Sequence, residues 1–326
     1  MLFTTLVPIY KTHFLEDTVA CLNAQSRQTF QVIFSDDSPT QDLAPLLDDL
    51  QITQRLRFPY RIIQGRRIGP ATNCHDLFAA WAANKSTPYI HFLLDDDLIF
   101  PDFYLWHERA FARGQAKLCV SSRIIVNEKK TPFAHTRQPD FINEQNASFS
   151  PLHLPECLQT TLPTLDNWLG ELSCATLDGA ALGQTLKGQL HQLPYYGIND
   201  LGLFLEMIAA HPACYINNTL GAFRVNRWQT SRDAQSSIFK STIISWASLA
   251  LDAYHMGQLS EHDVNLCLAR VQHSVQNLLP TNPDLHTLAL IFTHLPQIPI
   301  VAAAFKAYWS KALADNADFL HAHLAT

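Results

Sequence analysis

The chain has 326 residues, 47% of them hydrophobic and 16% charged, with a formal net charge of −6. So much apolar matter can bury a core, which excludes wholesale disorder, and an acidic chain without clustered Lys and Arg lacks the footprint of a nucleic-acid binder. Seven cysteines, scattered and without a CxxC pair, exclude a disulfide frame and a paired-ligand zinc site and fit reduced thiols.

Met1 to Val7 has no basic n-region and no cleavage site, so Leu2 to Val7 is read as a first strand and not as a signal peptide. Phe14, Leu15, Val19 and Leu22 recur at helical spacing. Val32-Ile33-Phe34 is a second strand ending in Ser35-Asp36-Asp37-Ser38, Leu43 to Leu50 is helical, and Tyr60 to Ile63 is a third strand. Pro70, whose missing N–H costs nothing in a first turn, opens a helix with Cys74, Leu77, Phe78 and Trp81 on its buried face. Tyr89 to Leu94 is a strand that ends at Asp95-Asp96-Asp97. A helix follows from Pro101, then a strand from Leu118 to Val126. This alternation predicts an α/β fold with a mixed, mostly parallel sheet flanked by helices.

Residues 128–165 carry Pro132, Pro139, Pro151, Pro155 and Pro163 and few periodic apolar positions, and are expected to form a long loop. Beyond them, Asn199-Asp200 precedes a helical stripe of Leu201, Leu203, Phe204, Met207 and Ile208, with Asp200 near its positive end. Apolar stripes near 238–257, 261–279, 283–294 and 299–323 predict an all-helical tail. The expected division is a main domain over 1–232 and a helical C-terminal extension over 233–326. That tail is expected to serve core packing, with a cap, an acceptor platform or a homo-oligomer surface as its other roles. No apolar run of about 18 residues is present, so no transmembrane segment is expected.

Both acidic clusters follow strands, where open parallel sheets place their ligand crevice. Consecutive carboxylates at Asp95, Asp96 and Asp97 repel one another unless a cation intervenes, and hard oxygen ligands suit Mn²⁺ or Mg²⁺. The alternate pair Asp95 and Asp97 can turn toward one ion. The competing reading is a solvated acidic turn.

Val7-Pro8-Ile9-Tyr10, Ser35-Asp36-Asp37-Ser38, Gly69 with Asn73, and Asp95-Asp96-Asp97 followed by Pro101 together resemble a family 2 glycosyltransferase of the GT-A (Rossmann-like) fold, over roughly residues 1–232. The resemblance implies a nucleotide-sugar donor, usually a UDP-sugar. Pro8 and Tyr10 would line the nucleoside pocket. Asp36 or Asp37 would hold the base, with Asp36 preferred, although Asp36 could instead cap the next helix. Arg67, Gly69 and Asn73 would border the nucleotide and sugar, and the DxD signature would place a metal on Asp95 and Asp97. Measured from Pro101, the metal pair falls equally on Asp96 and Asp97. Asp200 resembles the general base of inverting members, but Asn199 stands where an acid is usual. In Phe223-Arg224-Val225-Asn226-Arg227-Trp228, Arg224 or Arg227 would reach the diphosphate and Trp228 would stack on a sugar, while Asn226 replaces a common His.

The resemblance implies acceptors such as a cell-surface glycan, a lipid-linked glycan or a protein hydroxyl, and a cytoplasmic location, either free or peripheral at the inner membrane face. Two other readings compete. A metal-dependent nucleotidyltransferase would want an early Gly-rich basic loop, which is missing. A degenerate binding or scaffold subunit would use the helical tail, and Asn199 and Asn226 are its support.

Overall fold

Side-chain alternation decides how the first strands are used. In the computed structural model, which describes residues 1–40, 42–54, 56–143, 147–227, 229, 234 and 236–315, chain order begins β1 (Phe3–Ile9), α1 (Leu15–Asn23), β2 (Phe30–Asp36), α2 (Leu43–Gln54) and β3 (Tyr60–Gln64). It continues with α3 (Pro70–Ala82), β4 (Tyr89–Phe92), β5 (Leu98–Ile99), α4 (Phe103–Ala112) and β6 (Leu118–Val126). Phe3, Val7 and Ile9 of β1 share one apolar cluster with Phe30, Val32 and Phe34 of β2 and with α1, α2 and α4. Leu6 and Ile33 belong instead to a second cluster, with Leu77 and Trp81 of α3. The sheet is therefore buried on both faces, as parallel strands with helical crossovers require.

The stretch over 128–165 differs from the expected loop. It holds β7 (Pro132–His135), α5 (Asp140–Asn143), β8 (Phe149–Leu152) and α6 (Leu154–Thr161). The prolines misled because Pro155 sits in the first turn of α6 and starts that helix instead of breaking it. Cys157, Leu158 and Leu162 then bury its inner face. β7 adds to β6 and β8 to β10, both antiparallel, so these strands satisfy sheet edges.

Next come β9 (Ala175–Asp178), α7 (Gly179–Thr185), α8 (Asn199–Ala210) and β10 (Ala213–Arg224). Strand order is β3-β2-β1-β4-β9-β6-β10-β5. The longer ladders, β1 with β2 and β6 with β10, are parallel, while β9 lies antiparallel between β4 and β6. Because β1, β2, β3, β4, β6 and β10 run the same way or through parallel partners on each side, their carboxyl ends form one rim, and the site lies there.

The predicted tail is α9 (Ser237–His255), α10 (Glu261–Leu278), α11 (His286–Phe292) and α12 (Ile298–Asp315). Ser236 and Ser260 cap α9 and α10 through Phe239 N and Asp263 N. The tail's buried Ala247, Leu251, Val264, Phe292 and Phe305 continue the cluster that holds Leu201 and Phe204 of α8. Among the described residues no helix is long and apolar enough to cross a membrane.

Two buried carboxylates fasten the segment that leads into α8. Asp252 of α9, fully buried, accepts from His191 N, Gln192 N and Leu193 N at 2.8, 2.9 and 3.0 Å. Glu206 of α8 accepts from Lys187 N at 2.8 Å and from Tyr195 Oη at 2.5 Å. Gly197 follows with φ +83°, and a Cβ there would fall 2.7 Å from Ile238 O of α9. Asp252→Ala would leave three amide donors without their acceptor, so we expect it to lose about 2–4 kcal/mol of stability in urea unfolding. A loss below about 1 kcal/mol would show that the carboxylate does not hold this segment.

Candidate active site

The turn between β4 and β5 sets Asp95, Asp96 and Asp97 at the rim, all at most 6% exposed. Each faces a different partner. Asp95 Oδ2 accepts from Tyr10 N at 2.8 Å and Lys11 N at 2.6 Å, just past β1. Asp96 Oδ2 accepts from Lys11 Nζ and, at 2.8 Å, from Asn226 Nδ2. Asp97 accepts from Ser173 Oγ at 2.7 Å and from Arg224 N at 3.1 Å. Ser173 is itself held from below: His91 Nε2 donates to its carbonyl at 3.1 Å while His91 Nδ1 accepts from Tyr104 Oη at 3.0 Å. Burial pushes that imidazole down to about 3, so it stays neutral and serves as a support.

Asp95 and Asp96 share the Lys11 ammonium, which lies 3.5 Å from Asp95 Oδ1 and binds Asp96 Oδ2. Burial raises Asp95 to about 6 against the pull of Lys11, and burial with the charge of Asp96 raises Asp97 well above the ordinary carboxylate value. This excess of buried negative charge fits a divalent cation. Because each carboxyl group is turned to its own protein donors, no ready-made cluster of three ligands forms among the described residues. An ion here would use two of these carboxylates and complete its shell from phosphate and water, as Mg²⁺ and its relatives do.

The nucleoside side lies across β1 and β2. Pro8 is buried within β1 opposite Ser35 of β2, and Tyr10 next to it is 57% exposed. Asp36 spends its oxygens locally: Oδ1 accepts from Ser38 Oγ at 2.6 Å and Oδ2 from Leu43 N at 3.2 Å, at the start of α2. Both contacts are local, the second to the first residue of α2. Asp37, buried beside it, takes Arg67 N on Oδ1 at 2.6 Å, and its second oxygen carries no hydrogen bond among the described residues. The structure thus favours Asp37 over Asp36 for ligand contact. Arg67 holds φ 59° and Gly69 holds φ 140°, which bends the chain into α3. Arg66 is committed to Asp76.

Asn73, in the first turn of α3, is 3% exposed, and its Oδ1 has no partner among the described residues. A buried orphan acceptor at the rim calls for an outside donor. Cys74 beside it is pushed up to about 12 by burial and by the charges of Asp95 and Asp37, which places α3 between the two acidic clusters.

The Arg224 side chain turns to α1 and not to the acidic turn. Its guanidinium is 1% exposed, bound to Asp17 Oδ2 at 2.7 Å and stacked 4.2 Å over the Phe14 ring. Its backbone N–H serves the acidic turn. Arg227 is exposed and joins Asn127, Glu128, Lys129, Val225, Asn226 and Gln229 around an open groove of about 740 Å³. Asn226 links this groove to Asp96. Trp228 lies outside the described residues.

Asp200 sits in the first turn of α8, where Leu201 N donates to its carboxylate at 2.9 Å. Burial and the neighbouring Glu171 raise it to about 7. Glu171 is itself ion-paired with Arg123, whose Nη1 and Nη2 also donate to Trp168 O and Asn167 O. The thiol of Cys174 is within electrostatic reach of both Asp97 and Asp200, so the 171–174 segment joins the acidic turn to the base candidate.

Residues 4–169, half of the chain, match the family described as Glycosyl transferase family 2. The chain belongs to glycosyl transferase family 2. It is a glycosyltransferase. Among solved structures, S. aureus TarS 1–349 in complex with UDP-GlcNAc is similar at 14% identity with a TM-score of 0.58, over 99% of this chain and 81% of that one. TarS 1–349 in complex with UDP gives 12% identity and a TM-score of 0.58, over 97% and 91% of the two chains. Identities this low speak for the shared GT-A fold and leave the substrate open. No curated protein matches the sequence.

In this glycosyltransferase the sequence reading passed over Lys11, Ser173, Glu171 and Arg123. Lys11 carried the one available signal, a basic residue directly after Tyr10. Asp200 gives a test of stability against pH. The folded carboxyl ionises at about 7 and an unfolded one near 3.8, so between these the folded state keeps a proton that the unfolded state has lost. Stability therefore falls as pH rises through that window. The melting temperature of Asp200→Asn minus that of wild type should grow from about pH 4 to about pH 7 and then level off. A difference that does not vary with pH would show that the carboxyl ionises normally.

Proposed function

We propose that the chain transfers a sugar from a nucleoside-diphosphate sugar of the UDP class to an acceptor hydroxyl with inversion at the anomeric carbon.

 The observation that carries this reading is the gathering, on one rim, of Asp37 and the orphaned Asn73 beside the buried acidic turn, with Asp200 beyond it. The TarS structures were solved with UDP-GlcNAc and with UDP, which supports a uridine nucleotide here.

In this reading Tyr10 offers a flat exposed ring to the nucleoside, while Asp37 Oδ2 accepts from the base. Asn73 and the Arg67–Gly69 turn border the diphosphate and sugar. Two of Asp95, Asp96 and Asp97 would hold Mn²⁺ or Mg²⁺. A bound ion of this kind supplies Lewis-acid neutralisation of the leaving diphosphate. Asp200 takes the proton from the acceptor hydroxyl as its oxygen bonds to the anomeric carbon. The bond from that carbon to the diphosphate breaks, and the nucleoside diphosphate leaves with the electron pair. A base raised to about 7 is poised for this task near neutral pH. The acceptor, a glycan, lipid-linked glycan or protein hydroxyl, would approach over the groove beside Arg227.

A thermal-shift panel of nucleoside diphosphates with and without Mn²⁺ tests the donor site. Wild type should be stabilised by UDP with Mn²⁺, and Asp37→Ala should weaken UDP by roughly tenfold or more, the loss expected for a charged hydrogen bond. No shift with any nucleotide in folded protein would overturn the reading. Kinetics test the base. Asp200→Asn should lower kcat by about 10²–10⁴ while UDP affinity stays within about twofold. In wild type, kcat/KM should fall about tenfold for each pH unit below about 7 and level off above it. A variant that keeps wild-type kcat would remove Asp200 from the chemistry.

A further inference from the structure

The place where a metal would meet the acidic turn already holds a positive charge. The Lys11 main chain is fixed by its N–H on Asp95 Oδ2. Its side chain, 19% exposed, folds back so that Nζ binds Asp96 Oδ2 and stands 3.5 Å from Asp95 Oδ1. Asn226 Nδ2 donates to the same Asp96 oxygen at 2.8 Å. Asp95 Oδ2 is likewise taken, by two amides. The oxygens with acceptor capacity left at this pair are Asp95 Oδ1 and Asp96 Oδ1, and the ammonium lies beside both carboxyl groups. A divalent ion entering there meets a like charge at close range and must displace it or share with it.

A nucleoside diphosphate changes this balance. It brings negative oxygens that can accept from the ammonium and complete the shell of the ion. Lys has a flexible stem and a compact charged head, so it can exchange one anionic partner for another without moving the main chain. We propose that Lys11 is an internal counter-ion that keeps the Asp95–Asp96 pair closed to divalent cations until a nucleoside diphosphate arrives, so that metal and nucleotide load together. This rests on the metal reading given above. Linkage then makes the coupling mutual: the metal tightens the nucleotide by the factor by which the nucleotide tightens the metal.

The test is Mn²⁺ binding, read by electron paramagnetic resonance of the free ion and by calorimetry, with and without saturating UDP. Wild type, Lys11→Met and Lys11→Arg are compared, and circular dichroism checks the fold of each. Wild type should bind Mn²⁺ at least about tenfold more weakly without UDP than with it. Lys11→Met should tighten Mn²⁺ without UDP by about tenfold and shrink the effect of UDP, whereas Lys11→Arg, which keeps the charge, should behave as wild type. Equal Mn²⁺ affinity with and without UDP in wild type would overturn the proposal without reference to any variant. Unchanged Mn²⁺ affinity in folded Lys11→Met would overturn it and leave the metal reading standing. No Mn²⁺ binding by any protein, even with UDP, would overturn the metal reading and the proposal with it.

Discussion

Three carboxylates in one buried turn cannot stand without donors, and the rest of the rim is arranged to provide them. Asp95 takes the amides after β1, Asp96 the Lys11 ammonium and the Asn226 amide, and Asp97 the Ser173 hydroxyl and the amide of Arg224 at the end of β10. Segments more than a hundred residues apart in sequence are thereby tied to one point. The same turn leads into β5, which pairs with Gly221 and Ala222 of β10, so the acidic residues are held from the backbone side as well. Positioning and charge come from the same contacts, and any change in the charge at this turn acts on all of them.

Asp200 depends on a different set of contacts. The segment before it is gripped by Asp252 and Glu206 and bracketed by Tyr196, whose N–H and carbonyl both bind Ser245 Oγ of α9. Trp309 of α12 donates to Pro194 O at 2.7 Å. The helical tail therefore acts on the base candidate through hydrogen bonds as well as through shared apolar packing. The metal candidates and the base candidate are set by separate networks, which meet at the 171–174 segment.

Much of this was legible in the sequence, for identifiable reasons. Strands β1 to β4 announce themselves by apolar runs ending in turn residues, and β6 and the tail helices by unbroken periodicity. The acidic clusters stood out because their position at strand ends is a fact of order along the chain. What stayed open depended on three-dimensional direction. Asp36 and Asp37 are neighbours, but one turns to Ser38 and Leu43 and the other to Arg67, and no local pattern distinguishes them. Arg224 points to Asp17 and Phe14 on α1's side of the rim, a partnership across 207 positions. The elements inside 128–165 were hidden because prolines at helix starts and sheet edges look, in sequence, like prolines in loops.

The position of β10 bears on how the molecule can be assembled. This strand, Ala213–Arg224, fills the place between β6 and β5 and also takes β8 on its outer part. Until it has left the ribosome, β6 has an open edge, and β5 and β8 lack β10 as a partner. The apolar cluster on one face is completed later still, by helices reaching to Trp309. The nascent chain must therefore carry an unpaired strand edge from β6 to β10 and an uncovered apolar face for longer, the condition in which newly made proteins are exposed to mispairing.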